Sequence, residues 1–268
     1  MAQRKGRWLL REPSRDAEFR LFCFPFSGTG ASSWRRWPER IGPVDVCPVQ
    51  LPGRENRIGE EPCRDIDAFA DEAVGWLGEY LDRPYAFFGH CQGALLAHAV
   101  LSRIEEYDVR QPERLFVSSS RVPDLPPEQR YRAPAPGLAG VFHPTMSDEQ
   151  FAEELRRVAR TLGGDLIPEL LPMLVGVLRN DVEMCFRYAP SHPRPLRCPI
   201  TAIGWRDDQD VPAARMTDWS AYGATAHRVL DGEKLTFLTA PPALLDVIRQ
   251  DLTVAGAAVP ALEPEVAR

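Results

Sequence analysis

The feature that most constrains this 268-residue chain is a five-residue turn, GHCQG at 89–93, between two apolar segments. Residues 85–88 before the turn are apolar or aromatic, which predicts a short buried strand, and residues 94–107 after it have the pattern of a helix. A G-x-S-x-G turn between a strand and a helix strains its middle residue and exposes that side chain at the top of a sheet. The sequence therefore predicts such a turn, with Cys91 in the place of serine.

Two glycines, Gly89 and Gly93, flank the reactive position and would let the strand and the helix approach each other closely. The N-terminus of the helix would then lie beside the sulfur of Cys91, where its partial positive charge favours a thiolate. His90, next to the cysteine, is expected to have a structural role. The competing interpretation is an ordinary strand-turn-helix with a buried, inert thiol.

Strand and helix patterns alternate along the first half of the chain, which predicts the α/β class with a mostly parallel, doubly wound sheet. The region 121–190 breaks this alternation, because it is proline-rich at 123–136 and then helical without a strand pattern. We interpret it as a helical lid over the carboxyl ends of the strands, within a single domain, 1–268. The predicted strands are 19–24, 44–51, 85–88, 114–119, 199–204 and 227–230, and the predicted helices are 32–40, 66–81, 94–107, 148–162, 166–186 and 243–254.

Composition and charge argue against several classes of function. The net charge of −6 disfavours binding to nucleic acid or to an anionic membrane. The six cysteines form no C-x-x-C pair and no cysteine–histidine cluster of metal-ligand spacing, so neither a metal nor a cofactor is predicted in this chain. The N-terminal segment has an apolar run of only three residues before Arg11, and no stretch is long enough to span a bilayer. We therefore expect a cytoplasmic, reduced, monomeric protein.

Four sequence blocks resemble the stand-alone type II thioesterases of nonribosomal peptide and polyketide assembly lines. FCFPFSGTGASSW at 22–34 is similar to the family segment FCFPHAGGSAS, and VQLPGREN at 49–56 is similar to VQYPGRE. FFGHCQGALLAH at 87–98 is similar to LFGHSMGALLAYE, and ITAIGWRDD at 200–208 is similar to the strand and turn with the family's catalytic aspartate. The resemblance implies an α/β-hydrolase fold and a partner acyl or peptidyl carrier protein, which presents the substrate on a phosphopantetheine arm.

The chain departs from this family at most of its catalytic positions. Cys91 replaces the serine nucleophile, and Phe26 replaces a histidine in the first loop. Lys234, in GEKLTF at 232–237, stands at the position of the family's catalytic histidine. Asp207 keeps the expected residue type and would pair with Lys234. That lysine would act as a cation that stabilises the Cys91 thiolate or contacts a substrate carboxylate; a solvated loop lysine without a role is the alternative.

The resemblance also implies an oxyanion hole built from backbone N–H groups after the nucleophile and in the first loop. Here these are the N–H of Gln92 and the N–H of Ser27, with that of Phe26 as the second choice in the loop. His227 lies seven residues before Lys234 and is the candidate for a displaced general base.

Loss of the histidine changes the expected chemistry. A cysteine can attack as a thiolate without a base, but water needs a general base to hydrolyse an acyl-Cys91 intermediate. Exchange of one thioester for another has no such need, so we expect acyl or aminoacyl transfer, or cyclisation, in preference to hydrolysis. Three alternatives stay open: an editing thioesterase that hydrolyses with His227 as base, a non-catalytic module that docks a carrier protein, and an engineered replacement of a natural serine by Cys91. The acyl group, its donor and its acceptor also stay open.

Overall fold

The computed structural model describes residues 8–107, 109–130, 142–161, 163–190 and 194–256. The strands are β1 (Phe19–Phe24), β2 (Arg40–Ile41), β3 (Val44–Pro48), β4 (Tyr85–His90), β5 (Arg114–Ser118), β6 (Ile200–Trp205) and β7 (Thr225–Leu230). In this described part of the chain they form one seven-stranded sheet in the order β2-β3-β1-β4-β5-β6-β7. All neighbours are parallel except β2 and β3, which are antiparallel.

The inner strands are apolar along almost their whole length, because the sheet is covered on both faces. The strands β1, with the sequence FRLFCF, and β4, with YAFFGH, are buried at every position. The edge strand β7 alternates between half-buried and exposed residues, which fits a strand with one neighbour. The predicted α/β class with a mostly parallel sheet is confirmed.

Helices cover both faces of the sheet. They are α1 (Ile66–Leu77), α2 (Gln92–Glu106), α3 (Pro127–Arg130), α4 (Asp148–Thr161), α5 (Leu171–Arg187) and α6 (Pro242–Gly256). The side chain of Asp65 caps α1 by accepting the N–H of Ala68 at 2.8 Å. The helices α1 and α2 pack on one face and α6 packs on the other, which is the doubly wound arrangement that the alternation predicts. Among the described residues, no helix combines the length and the apolar character needed to cross a bilayer.

Two predicted elements are shorter than their patterns indicate. The helix predicted at 32–40 is a single 3₁₀ turn, Ala31–Trp34, because Pro38 cannot continue a helix and the rings of Trp34 and Trp37 turn inward onto Phe88. The strand predicted at 44–51 ends at Pro48, because proline has no N–H to donate to the hydrogen bonds of the sheet.

The connection from β5 to β6 contains the helices α3, α4 and α5, in the region interpreted above as a lid; residues 131–141 of that region lie outside the described residues. The helices α4 and α5 share an apolar cluster that includes Phe151, Leu155, Leu178 and Val182. The side chains of Leu155 and Leu178 also reach the loop that follows β1, within 3.4 Å of where a Cβ on Gly28 would stand. The insertion therefore lies over the carboxyl ends of the strands.

Close contact between two glycine backbones fixes the crossing of β4 and α2. A Cβ added to Gly89 would stand 2.2 Å from the carbonyl of Gly93, and a Cβ on Gly93 would stand 2.5 Å from the carbonyl oxygen of Phe24. We expect Gly89→Ala to lower the free energy of unfolding by about 3 kcal/mol, because backbone atoms must move to admit the methyl group. Urea denaturation measures the effect.

The matched control is Gly75→Ala in the exposed part of α1, where an added Cβ meets nothing within 4 Å. That change should stabilise the protein by roughly 0.5–1 kcal/mol, since alanine is the better helix former. Equal effects of the two substitutions would contradict the close-contact explanation.

Candidate active site

The turn at 89–93 has the strained geometry that its sequence predicts. Cys91 lies between the end of β4 and the start of α2 with φ 51° and ψ −117°. Residues other than glycine rarely adopt this backbone conformation. Such a residue costs of order 1–3 kcal/mol and persists where the surroundings impose it. One such constraint is the N–H of Cys91, which donates to the carbonyl oxygen of Ser118 at 2.9 Å.

The thiol of Cys91 is half-buried and lines a small cavity of about 30 Å³ at the carboxyl end of the sheet. Side chains from the turn, from the end of β5, from the lid and from the segments after β6 and β7 meet there. The other lining residues are Leu95, Ser119, Ser120, Arg121, Arg130, Phe142, Asp210, Val211 and Lys234. The sequence-predicted pair of Cys91 and Lys234 is therefore brought together.

Lys234 is a buried cation in this cavity. It begins the 3₁₀ helix Lys234–Thr239, its Nζ contacts the carboxylate of Asp210, and it lies 5.6 Å from the ring centroid of Phe142. Burial alone would lower the pKa of Lys234, but the negative charges of Asp210 and of an ionised Cys91 raise it above its ordinary value. Lys234 is thus an ammonium at neutral pH, so it can stabilise a thiolate but cannot accept a proton as a base.

The expected partner of Lys234 was Asp207, and this prediction is wrong. Asp207 is exposed, and its backbone N–H bonds to the carbonyl oxygen of Gly232 at 3.0 Å. The carboxylate that meets Lys234 belongs to Asp210. Three aspartates lie within the four residues 207–210 after β6, and the turn after the strand directs the first one to solvent.

The buried aspartate of this turn is Asp208, which sequence reasoning missed. Its Oδ1 accepts the N–H groups of Asp210 at 2.9 Å and Val211 at 3.0 Å, and its Oδ2 accepts the hydroxyl of Ser119 at 2.5 Å. Ser119 is itself held at φ 45°, next to the end of β5. These bonds shape the turn that places Asp210 against Lys234. The signal in the sequence is the run DDQD at 207–210, directly after an apolar strand.

His90 is fully buried beside the turn. Its ring stacks on Phe237 with centroids 3.8 Å apart, and its Nδ1 lies 3.0 Å from the hydroxyl of Ser118. Burial, and then the charge of Lys234, lower the pKa of His90 well below its ordinary value, so the imidazole is neutral.

His227 is not a displaced base, which corrects the prediction. It lies on the exposed edge strand β7, where its Nε2 bonds to the hydroxyl of Ser220 at 3.0 Å, and it does not line the Cys91 cavity. His98 packs against Trp219 and Tyr222, and burial lowers its pKa to about 4. Within the described ranges, no histidine lines the cavity; His192 lies outside them.

The thiolate expected at Cys91 is less favoured than the sequence suggests. Burial raises the pKa of the Cys91 thiol most; the ammonium of Lys234 and the backbone N–H of Gln92 lower it, and Asp210 raises it again. The net pKa lies above its ordinary value. The helix N-terminus and the lysine therefore offset only part of the cost of burying the charge.

The oxyanion hole expected from the N–H groups of Gln92, Ser27 and Phe26 stays a prediction. The backbone N–H of Gln92, in the first turn of α2, lowers the pKa of Cys91. In the loop after β1, the N–H of Thr29 donates to the carbonyl oxygen of Phe26 at 3.2 Å, and the N–H of Gly28 donates to Asp181 at 2.8 Å. Within the described part of the chain, the N–H groups of Phe26 and Ser27 have no protein acceptor and stay available to a substrate.

No group of three or more His, Cys, Asp or Glu side chains with the geometry of a metal site occurs among the described residues. The described residues thus place the thiol of Cys91 in one cavity with the cation Lys234. No histidine is among the described residues that line this cavity.

Comparisons with known proteins agree with this geometry. A family model described as a thioesterase domain matches residues 19–252. The chain is 32% identical over 255 residues to linear gramicidin dehydrogenase LgrE of Brevibacillus parabrevis, covering 92% of this chain and 93% of that protein. It is 32% identical to gramicidin S biosynthesis protein GrsT of Aneurinibacillus migulanus, covering 76% of each.

Solved structures are also similar. The RedJ thioesterase of the prodiginine pathway of Streptomyces coelicolor superposes with a TM-score of 0.70 at 34% identity, covering 90% of each chain. The type II thioesterase BorB of the borrelidin cluster superposes with a TM-score of 0.76 at 27% identity, covering 94% of this chain and 100% of that one.

The charges around the thiol predict opposite effects for two substitutions. Lys234→Met removes a charge that lowers the pKa of Cys91, so the pKa rises, the thiolate fraction at pH 8 falls, and alkylation by iodoacetamide should slow about threefold or more. Asp210→Asn removes a charge that raises the same pKa, so alkylation should accelerate. In the wild type the rate should still be rising with pH at about pH 9, because the thiol pKa is raised above its ordinary value.

Peptide mapping of the alkylated protein separates Cys91 from the half-buried Cys63. The matched control is Arg206→Met, which removes an exposed cation paired with Asp231 at 2.6 Å and should leave the rate unchanged. A change of the same sign for Lys234→Met and Asp210→Asn would refute the electrostatic assignment.

Proposed function

Since the chain belongs to the thioesterase family of nonribosomal peptide and polyketide pathways, we propose that it accepts acyl groups from carrier-protein thioesters on Cys91. From the resulting acyl-Cys91 intermediate it passes the acyl group to a second nucleophile, by transfer or by ring closure, in preference to water. The partner is an acyl or peptidyl carrier protein, and its phosphopantetheine arm belongs to that partner. The observation that supports this most is the buried Lys234, which contacts Asp210 and lines the same cavity as Cys91.

Acylation needs a nucleophile, a cation beside it and hydrogen-bond donors for the carbonyl oxygen. The sulfur of Cys91 bonds to the thioester carbonyl carbon, the bond from that carbon to the pantetheine sulfur breaks, and the thiol proton ends on the departing sulfur. Charge on the carbonyl oxygen is stabilised by the N–H of Gln92 and an N–H of Ser27 or Phe26. The ammonium of Lys234 stabilises the transient thiolate.

Deacylation is the step that separates transfer from hydrolysis. Water needs a base whose pKa lies near the working pH, and the described residues of the cavity offer a charged lysine, two arginines and the carboxylate of Asp210. An incoming thiol or amine is a far better nucleophile than water and does not depend on such a base to the same degree. The site therefore favours acceptors that supply their own nucleophile.

Editing hydrolysis is the second candidate function, and the comparisons favour it. The family model and the solved neighbours are described as thioesterases, a class that releases acyl groups to water. In this chain Asp210 would have to receive the proton of the attacking water, since it is the carboxylate that lines the cavity with Cys91. A docking module without catalysis is disfavoured, because nothing in docking requires the strained φ of Cys91.

A covalent adduct on Cys91 tests the first step. Incubation with an acyl-pantetheine mimic should raise the intact mass by that of the acyl group, because the carbonyl carbon stays on the sulfur until an acceptor arrives. Cys91→Ala should show no adduct. The matched control Cys63→Ala removes the other half-buried thiol and should be acylated like the wild type. Acylation that survives in Cys91→Ala would refute the proposed nucleophile.

Restoring a base tests the second step. Lys234→His puts a titratable imidazole where the ammonium stands, so release of free acid from acyl-Cys91 should rise about tenfold or more over the wild type. Lys234→Met, which lacks both charge and base, is the control and should release no more acid than the wild type. Rapid multiple turnover to free acid by the wild-type protein, without any thiol or amine acceptor, would establish hydrolysis instead.

A further inference from the structure

A buried ion pair joins the lid to the loop of the oxyanion hole. Arg54, just after the PG turn that follows β3, and Asp181, on α5, form a bidentate pair with Nη1–Oδ2 at 2.8 Å and Nη2–Oδ1 at 2.7 Å. Their side chains are 4% and 0% exposed. The two residues are 127 positions apart in the sequence, so the pair forms only when α5 lies on the body of the protein.

Both partners also hold the loop that follows β1. The Oδ2 of Asp181 accepts the backbone N–H of Gly28 at 2.8 Å, and the Nη1 of Arg54 donates to the carbonyl oxygen of Thr29 at 2.8 Å. Gly28 has φ 78°, and a Cβ there would stand 3.0 Å from the side chain of Leu178 on α5. The loop is therefore pressed against the lid helix at the residue after Ser27.

A role in stability alone explains this pair poorly. The desolvation of two buried charges offsets most of their attraction, and apolar residues of similar size are often as stable. The carboxylate of Asp181 also accepts the N–H of Gly28, and this bond fixes the backbone of the first loop. The neighbouring N–H groups, those of Phe26 and Ser27, have no protein acceptor among the described residues.

We propose that Arg54 and Asp181 are positioning residues, which hold the first loop so that its free N–H groups face the carbonyl bound at Cys91. The oxyanion hole is then complete only while α5 is docked. This inference rests on the proposed acylation of Cys91, and it adds the residues that control that step.

The test compares two reactions of the same sulfur. Acylation by a thioester builds negative charge on oxygen and needs the oxyanion hole, whereas alkylation by iodoacetamide forms no oxyanion. Asp181→Asn leaves one acceptor oxygen where the carboxylate has two and removes the negative charge, so an N–H₂ faces a donor of Arg54 or Gly28 and the loop is held more weakly. We expect the single-turnover acylation rate to fall about tenfold or more while Cys91 alkylation stays within about twofold.

A matched control breaks another ion pair of the lid. Arg179 on α5 contacts Asp148 on α4 at 2.5 Å and has no bond to the first loop. Asp148→Asn should therefore leave both reactions of Cys91 unchanged. If Asp181→Asn does not fold, the double variant Arg54→Met with Asp181→Leu replaces both buried charges by apolar groups and should show the same selective loss of acylation.

Amide hydrogen exchange of the segment 25–31 gives a readout that does not depend on activity. Exchange there should be faster in Asp181→Asn than in the wild type, and unchanged in Asp148→Asn. Unchanged acylation and unchanged exchange in Asp181→Asn would overturn the inference, as would equal losses of acylation and alkylation. If the wild-type protein takes up no acyl group, the proposed function fails, and exchange still decides whether Asp181 holds the loop.

Discussion

The architecture of the site depends on one steric constraint, the contact between the backbones of Gly89 and Gly93. A Cβ on either residue would overlap neighbouring backbone, at 2.2 Å for Gly89 and 2.5 Å for Gly93. This approach brings the first turn of α2 directly above the sheet and forces Cys91 into its positive φ. The bond from its N–H to Ser118 then ties the turn to β5. Every other part of the site is arranged relative to this fixed sulfur.

A series of polar contacts connects the end of β5, next to Cys91, with the ammonium of Lys234. Ser119, one residue after the end of β5, bonds to Asp208, and Asp208 holds the N–H of Asp210 at 2.9 Å. Asp210 in turn contacts Lys234, which returns to the Cys91 cavity. The cation is therefore placed by a sequence of backbone and carboxylate contacts that starts at the same strand end as the nucleophile. Without these contacts, a lysine in a short loop would be expected to extend into solvent, because a buried ammonium needs a partner.

The turn, the sheet and the helical insertion could be predicted from the sequence, because their signals are local. The GHCQG pattern lies within five residues, and the apolar strands and periodic helices lie within twenty. The identity of the buried carboxylates could not be predicted, since Asp207, Asp208 and Asp210 differ only in how the turn after β6 directs them. The Arg54–Asp181 pair was equally hidden, because its partners are far apart in sequence and each alone is an ordinary surface residue type.

Under the proposed function, the residue types of Cys91 and Lys234 are matched to each other. An ammonium such as Lys234 lowers a neighbouring pKa by a few units at most, which brings a buried thiol within reach of ionisation and leaves a serine hydroxyl far from it. Lysine in place of histidine is therefore compatible with a cysteine nucleophile and not with a serine. The same positive charge that permits attack by the sulfur cannot remove a proton from water. In the proposed reaction, the acyl-enzyme therefore depends on its acceptor for the second step.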